Sequence, residues 1–122
     1  MKNLRRMITN TELSDTIRFL KIKGRENKAT IWSMVADQLS LPRRGRAVLN
    51  LNHVSRSTKP DSLVLVPGKL LGSGVINHRI VVGAFEYSAA AREKVERAGG
   101  ECIALKDFVT RYPKGSNVTI MR

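Results

Sequence analysis

The apolar residues change their spacing once along this chain, and that change restricts the fold more than any other feature. Leu13, Ile17 and Leu20 recur at three- and four-residue intervals, which predicts an amphipathic helix over about 10–23 with Gly24 as its stop. Thr9, with Glu12 three residues on, has the spacing of a capping box. After the polar link RENKA, a second helix over about 30–41 carries Ile31, Met34, Val35, Gln38 and Leu39 and ends at Pro42. Trp32 lies beside that stripe as a packing residue. From residue 47 the apolar runs become short and β-branched, which predicts strands at 47–51, 62–66 and 80–87. The segment PGKLLGSG at 67–74 reads as a turn-rich loop. Ser88 is a good N-cap for a helix carrying Ala91, Val95 and Ala98, and Gly99-Gly100 ends it. A short strand at 102–105, a helical turn at 106–111, a Pro-Lys-Gly turn and an edge strand complete the chain.

Such alternation needs a core, and the 122 residues hold 42% hydrophobic side chains, enough for one domain. Over that core lies a large excess of cations, 22 Lys+Arg against 10 Asp+Glu, for a net charge of +12. A disordered basic tail would lack the apolar residues to offset chain entropy. A lone cysteine, Cys102, forms no internal disulfide, which excludes a stapled secreted scaffold and suits a reducing compartment. The longest apolar stretch, 80–85, falls far short of the roughly 20 residues of a membrane span. The N-terminal MKNLRRMITN has no apolar run behind its basic residues, so no signal peptide is expected. Charge of this size on a small domain points to polyanions: nucleic acid first, an anionic membrane surface second.

Catalytic chemistry finds little support. His53 and His78 stand 25 residues apart, and neither has a carboxylate at helical metal-site spacing. Cys102 sits in the apolar context ECIAL, where a thiol is usually inert filling. In GKLLGSG, Lys69 follows Gly68 directly with no Ser or Thr after it, unlike a Walker loop, and G-x-G-x-x-G is absent. The segment is then either a tight turn or a loop whose amides and Lys69 approach an RNA backbone.

The basic residues come in sets: Arg5-Arg6, Lys21/Lys23/Arg25/Lys28, Arg43-Arg44-Arg46 and Arg56/Lys59. Before residue 62 there are 13 basic and 5 acidic residues, so the first half carries most of the excess. The planar fork of arginine suits phosphate. Aromatics are only 5%, too few for a surface that stacks splayed bases. Phosphate and shape recognition of folded RNA remains, with a DNA-binding or chromatin protein and a small nucleotide-dependent enzyme using 67–74 as alternatives. The two N-terminal helices make a poor helix-turn-helix, because the second offers no Arg, Lys or Asn for base edges.

Two segments carry a more specific pattern. In LSLPRRGRAVLNLNHV (39–54), Leu39, Pro42, Arg43, Arg46, Leu49, Asn50 and Leu51 resemble the signature of the archaeal and eukaryotic, "e" type, large-subunit ribosomal protein eighteen family. In 69–99, Lys69, Gly72, Gly74, Ser88, Ala91, Val95 and Gly99 resemble the motif that this family shares with bacterial large-subunit ribosomal protein fifteen. PKGSNV and the IW of the second helix are also similar, so the resemblance covers nearly the whole chain. His53 departs from the family's usual Lys or Arg, so no phosphate contact at neutral pH is carried over to it. Asp37 and Tyr87 also depart, in surface charge and packing.

The resemblance implies an α/β fold, an irregular β-β-α superhelical globule preceded by two N-terminal helices. It implies a non-catalytic constituent of the large ribosomal subunit in the cytoplasm, bound to rRNA and neighbouring ribosomal proteins. No cofactor, metal, membrane or small-molecule substrate is expected. Residues 1–8 are expected to form a basic arm and 9–122 a single domain. The expected RNA-binding residues are Arg5, Arg6, Arg43, Arg44, Arg46, Arg56, Lys59, Lys69, Gly72, Gly74, Arg79 and Lys114. Gly68, Gly72 and Gly74 are expected to let backbone approach backbone, so that Ala at Gly72 or Gly74 harms assembly more than folding.

Overall fold

A computed structural model describes residues 10–42 and 45–122. The expected capping residue Thr9 and the expected basic arm lie outside the described residues. Helices α1 (Asn10–Glu26) and α2 (Thr30–Leu39) come first. They are followed by β1 (Ala47–Asn50), α3 (Leu51–Ser57), β2 (Ser62–Leu71), β3 (Ile80–Tyr87), α4 (Ala89–Arg97), β4 (Glu101–Ala104), α5 (Leu105–Arg111) and β5 (Val118–Ile120). The chain is an α/β protein.

Every strand pair is parallel, in the order β1-β2-β3-β4, with β5 also on β2. The sheet is covered on both faces, so its strands read as continuous apolar runs rather than alternating ones. Val64, Val66, Leu70 and Val82 pack under α3 and α4 with Leu51, Val54, Ala91 and Val95. Leu65, Val81 and Ile103 pack on the opposite face with Leu20, Trp32, Val35, Leu39, Phe108 and Val109 of α1, α2 and α5.

Three expectations are corrected. Gly24 does not stop α1, which continues to Glu26. It packs directly against α2, where a Cβ would lie 2.9 Å from Ser33 Oγ. Residues 67–71 are strand, not loop: β2 runs through Pro67 and Gly68. Proline cannot donate to a ladder, but here the edge partner of β2 changes from β5 at Leu65 to β1 at Gly68, and the β3 register shifts between Val66 and Lys69. Gly68 is required there, since a Cβ would lie 2.0 Å from the Ala47 carbonyl oxygen. Finally, α3 occupies 51–57, where the sequence showed no helix.

The C-terminal half follows its local signals. Ser88 Oγ accepts a 3.1 Å hydrogen bond from Ala91 N–H and caps α4, and Gly99 ends it at φ +88°.

Candidate nucleic-acid interface

In a parallel sheet all the amino ends of the strands share one rim and all the carboxyl ends the other. That geometry sorts the expected contact residues. Arg5, Arg6, Arg43 and Arg44 lie outside the described residues. Near the carboxyl end of β2, Lys69 lines two adjoining clefts. One is shared with Arg46, Val48, Gly68, Phe85 and Glu86. The other is shared with Tyr87, Ser88, Arg92, Glu93 and Glu96. Lys69 therefore shares one cleft with Arg46, just before β1, and the other with Arg92 of α4.

Their side chains are held without ion pairs. Arg46 Nε donates to the Leu41 carbonyl at 3.1 Å. Arg92 places its guanidinium 4.9 Å from the centre of the Tyr87 ring, a contact that leaves its N–H groups to donate. Arg92 was missed from sequence. Its signal is positional: it follows the buried Ala91 on α4 and comes four residues after the cap, so it projects beside the sheet end.

Arg79 is in a different setting. It precedes β3 at the opposite rim and bonds Asp61 at 2.9 Å, with Glu101 at 4.0 Å. Arg111 joins the same Glu101 at 2.9 Å. The structure thus does not bring Arg79 to Lys69, and two carboxylates offset its charge. Arg56 and Lys59, both exposed, lie at and after the end of α3, toward that amino-end rim. Lys114 is exposed in the turn before β5. Among the described residues, ion pairs engage Arg18, Lys23, Arg79, Arg97 and Arg111. Arg46, Arg56, Lys59, Lys69, Arg92 and Lys114 stand outside them.

The glycines pack against protein. A Cβ on Gly72 would lie 2.6 Å from Ala90 Cβ and from Ala91 N. Gly74 has φ +98°, and a Cβ there would lie 2.5 Å from Asn52 Cβ. Ala at either position therefore carries a folding cost of its own. Gly74→Ala should cost about 2–4 kcal/mol through strain and overpacking. Urea denaturation of the free protein should show the loss; an unchanged midpoint would contradict it.

The remaining groups have structural partners. His78 Nε2 lies 2.8 Å from Thr58 Oγ1. Burial pushes the Cys102 thiol up to about 11, so at neutral pH it is a protonated, weakly reactive group. Burial likewise raises the Tyr87 phenol, whose hydroxyl donates within reach of the Val82 and Ile103 carbonyls. Among the described residues no group of three or more His, Cys, Asp or Glu could hold a metal ion. None of their helices is long and apolar enough to cross a membrane.

Comparison with known proteins agrees with this picture. The family model described as ribosomal protein 60S L18 and 50S L18e matches residues 6–122. Large ribosomal subunit protein eL18 of Methanothermobacter thermautotrophicus is 44% identical over 113 residues, 93% of either chain. Its counterpart in Pyrobaculum aerophilum is 42% identical over the same shares. That of Methanococcus maripaludis is 36% identical over 94% of this chain and 96% of its own. A match of this extent leaves no part of the folded domain unaccounted for, and the chain belongs to the 60S L18 and 50S L18e ribosomal protein family.

Proposed function

We propose that this protein binds folded large-subunit rRNA through phosphate and shape contacts and touches neighbouring ribosomal proteins. As a member of its family it is a structural, non-enzymatic constituent of the large ribosomal subunit, in the cytoplasm. The observation that carries the rRNA reading is the set of cations without carboxylate partners on a folded, aromatic-poor surface. Arg46, Lys69 and Arg92 form its best-defined part, a line of cations along two clefts that share Lys69. Guanidinium and ammonium groups so placed favour a phosphate chain over a flat base, since few exposed rings are present to stack on. Arg5, Arg6, Arg43, Arg44, Arg56, Lys59 and Lys114 extend the proposed contact set. Arg79 ranks last in it, because it is already ion-paired.

A tagged copy expressed in Methanothermobacter thermautotrophicus, whose own eL18 is 44% identical, should sediment with the large subunit on sucrose gradients and leave it only at high salt. Sedimentation with chromosomal DNA instead would favour the DNA-binding alternative and overturn the proposal.

A further inference from the structure

The connection from β2 to β3, residues 72–79, contains no helix or strand, yet it is tied down at its start. Lys94 of α4 donates from Nζ to the Gly72 carbonyl at 2.6 Å and the Gly74 carbonyl at 2.7 Å. The carbonyl between them, that of Ser73, accepts from Asn52 N–H at 2.9 Å. Ser73 N–H donates to Asn50 Oδ1 at 3.3 Å. Three successive carbonyls are therefore turned toward the protein.

This arrangement dictates where the amides point. In a trans peptide the N–H is directed opposite to the C=O of the same plane, and the described residues contain no cis bond. With the Ser73 and Gly74 carbonyls turned inward, the Gly74 and Val75 N–H groups point away from their anchors. Neither finds an acceptor among the described residues. Val75 is 63% exposed and Ser73 is exposed, so water and ligands reach this corner. Two adjacent donors with their carbonyls already occupied suit a group that only accepts, such as a phosphodiester oxygen. An added protein strand would need acceptors as well.

We infer that Lys94 is a positioning residue for rRNA: by clamping the Gly72 and Gly74 carbonyls it presents the Gly74 and Val75 amides to a backbone phosphate. The inference rests on the rRNA reading above. Lys94 has its donors on carbonyls and acts through the loop, unlike Lys69, whose charge is free to meet a phosphate itself.

The test compares wild type, Lys94→Met and Lys94→Arg, with large-subunit rRNA of Methanothermobacter thermautotrophicus as the probe. Affinity is measured from about 50 to 200 mM salt, and amide hydrogen exchange at Asn52, which donates to the Ser73 carbonyl, is followed in the free protein. Lys94→Met should weaken binding about tenfold, the value of one charge-assisted hydrogen-bond set. It should also speed exchange at the Asn52 amide, which the clamped Ser73 carbonyl accepts, and it should leave the slope of log K against log salt nearly unchanged. Lys94→Arg, which keeps the charge and the donors, should restore most of the affinity and covers the case in which the Met variant folds poorly. A slope reduced by about 0.7–0.9 would make Lys94 a direct phosphate contact and overturn the inference. Unchanged affinity for rRNA would also overturn it and leave the two amides to an acidic protein segment. A wild-type affinity insensitive to salt would sink the rRNA reading itself.

Discussion

Replacing Trp32 by Ala should destabilise the domain by about 3–5 kcal/mol, lowering Tm by on the order of 10 °C or more. Trp32 is fully buried and meets the Phe108 ring edge-on, with centroids 6.3 Å apart. Its indole Nε1 donates to the Pro113 carbonyl at 2.7 Å, across 81 residues of sequence. The truncation leaves a cavity and also strips the Pro113 carbonyl of its partner. The same turn presses Gly115 against Ile31, so the damage should spread to the seating of β5. Trp32→Phe keeps most of the ring volume but loses the donor, and should cost less, about 1–3 kcal/mol. Thermal unfolding followed by circular dichroism separates the two; equal losses would show that the ring volume adds nothing beyond the lost hydrogen bond.

That prediction shows what sequence could and could not supply. Its apolar neighbours marked Trp32 as a packing residue, but its partner on a turn 81 residues away left no local trace. Elements with local signals were legible: the Leu13/Ile17/Leu20 stripe, the Ser88 cap and the Gly99 stop all correspond to observed structure. Helix α3 was not, for a physical reason. It buries only Leu51 and Val54, too few residues for a period, and Asn50 does not cap it because its side chain binds Ser73 N–H. Pro67-Gly68 reads as a turn in any local view; only the exchange of β5 for β1 along one edge of β2 makes room for it in a strand. The same limit applied to the site. Lys69 and Arg46 were recognisable as cations, whereas the carboxylates that engage Arg79 lie 18 and 22 residues away and could not be paired with it beforehand.

Binding to rRNA should weaken on the order of 10³- to 10⁵-fold between about 50 and 200 mM salt, if roughly 6 to 10 cations neutralise phosphates. The contributors should be those that the fold leaves without carboxylates. Displacing counterions from RNA is favourable only where the protein cation is not already neutralised by its own chain. Lys69→Met should therefore remove about 0.7–0.9 from the salt slope. Arg79→Met should remove much less, because Asp61 at 2.9 Å already offsets that charge. Exposed ion pairs of this kind contribute little to stability, about 0–1 kcal/mol, so Arg79→Met should fold normally and serve as a fair control.

On the proposed reading, this small cationic domain grips rRNA through phosphate contacts made by its unpaired Lys and Arg residues. The most direct measurement is the equilibrium affinity for large-subunit rRNA across that salt range, plotted as log K against log salt. The plot should be a straight line with a slope of about −5 to −9, reduced by Lys69→Met and scarcely altered by Arg79→Met. A slope near zero, or one that Arg79→Met reduces as much as Lys69→Met, would contradict it.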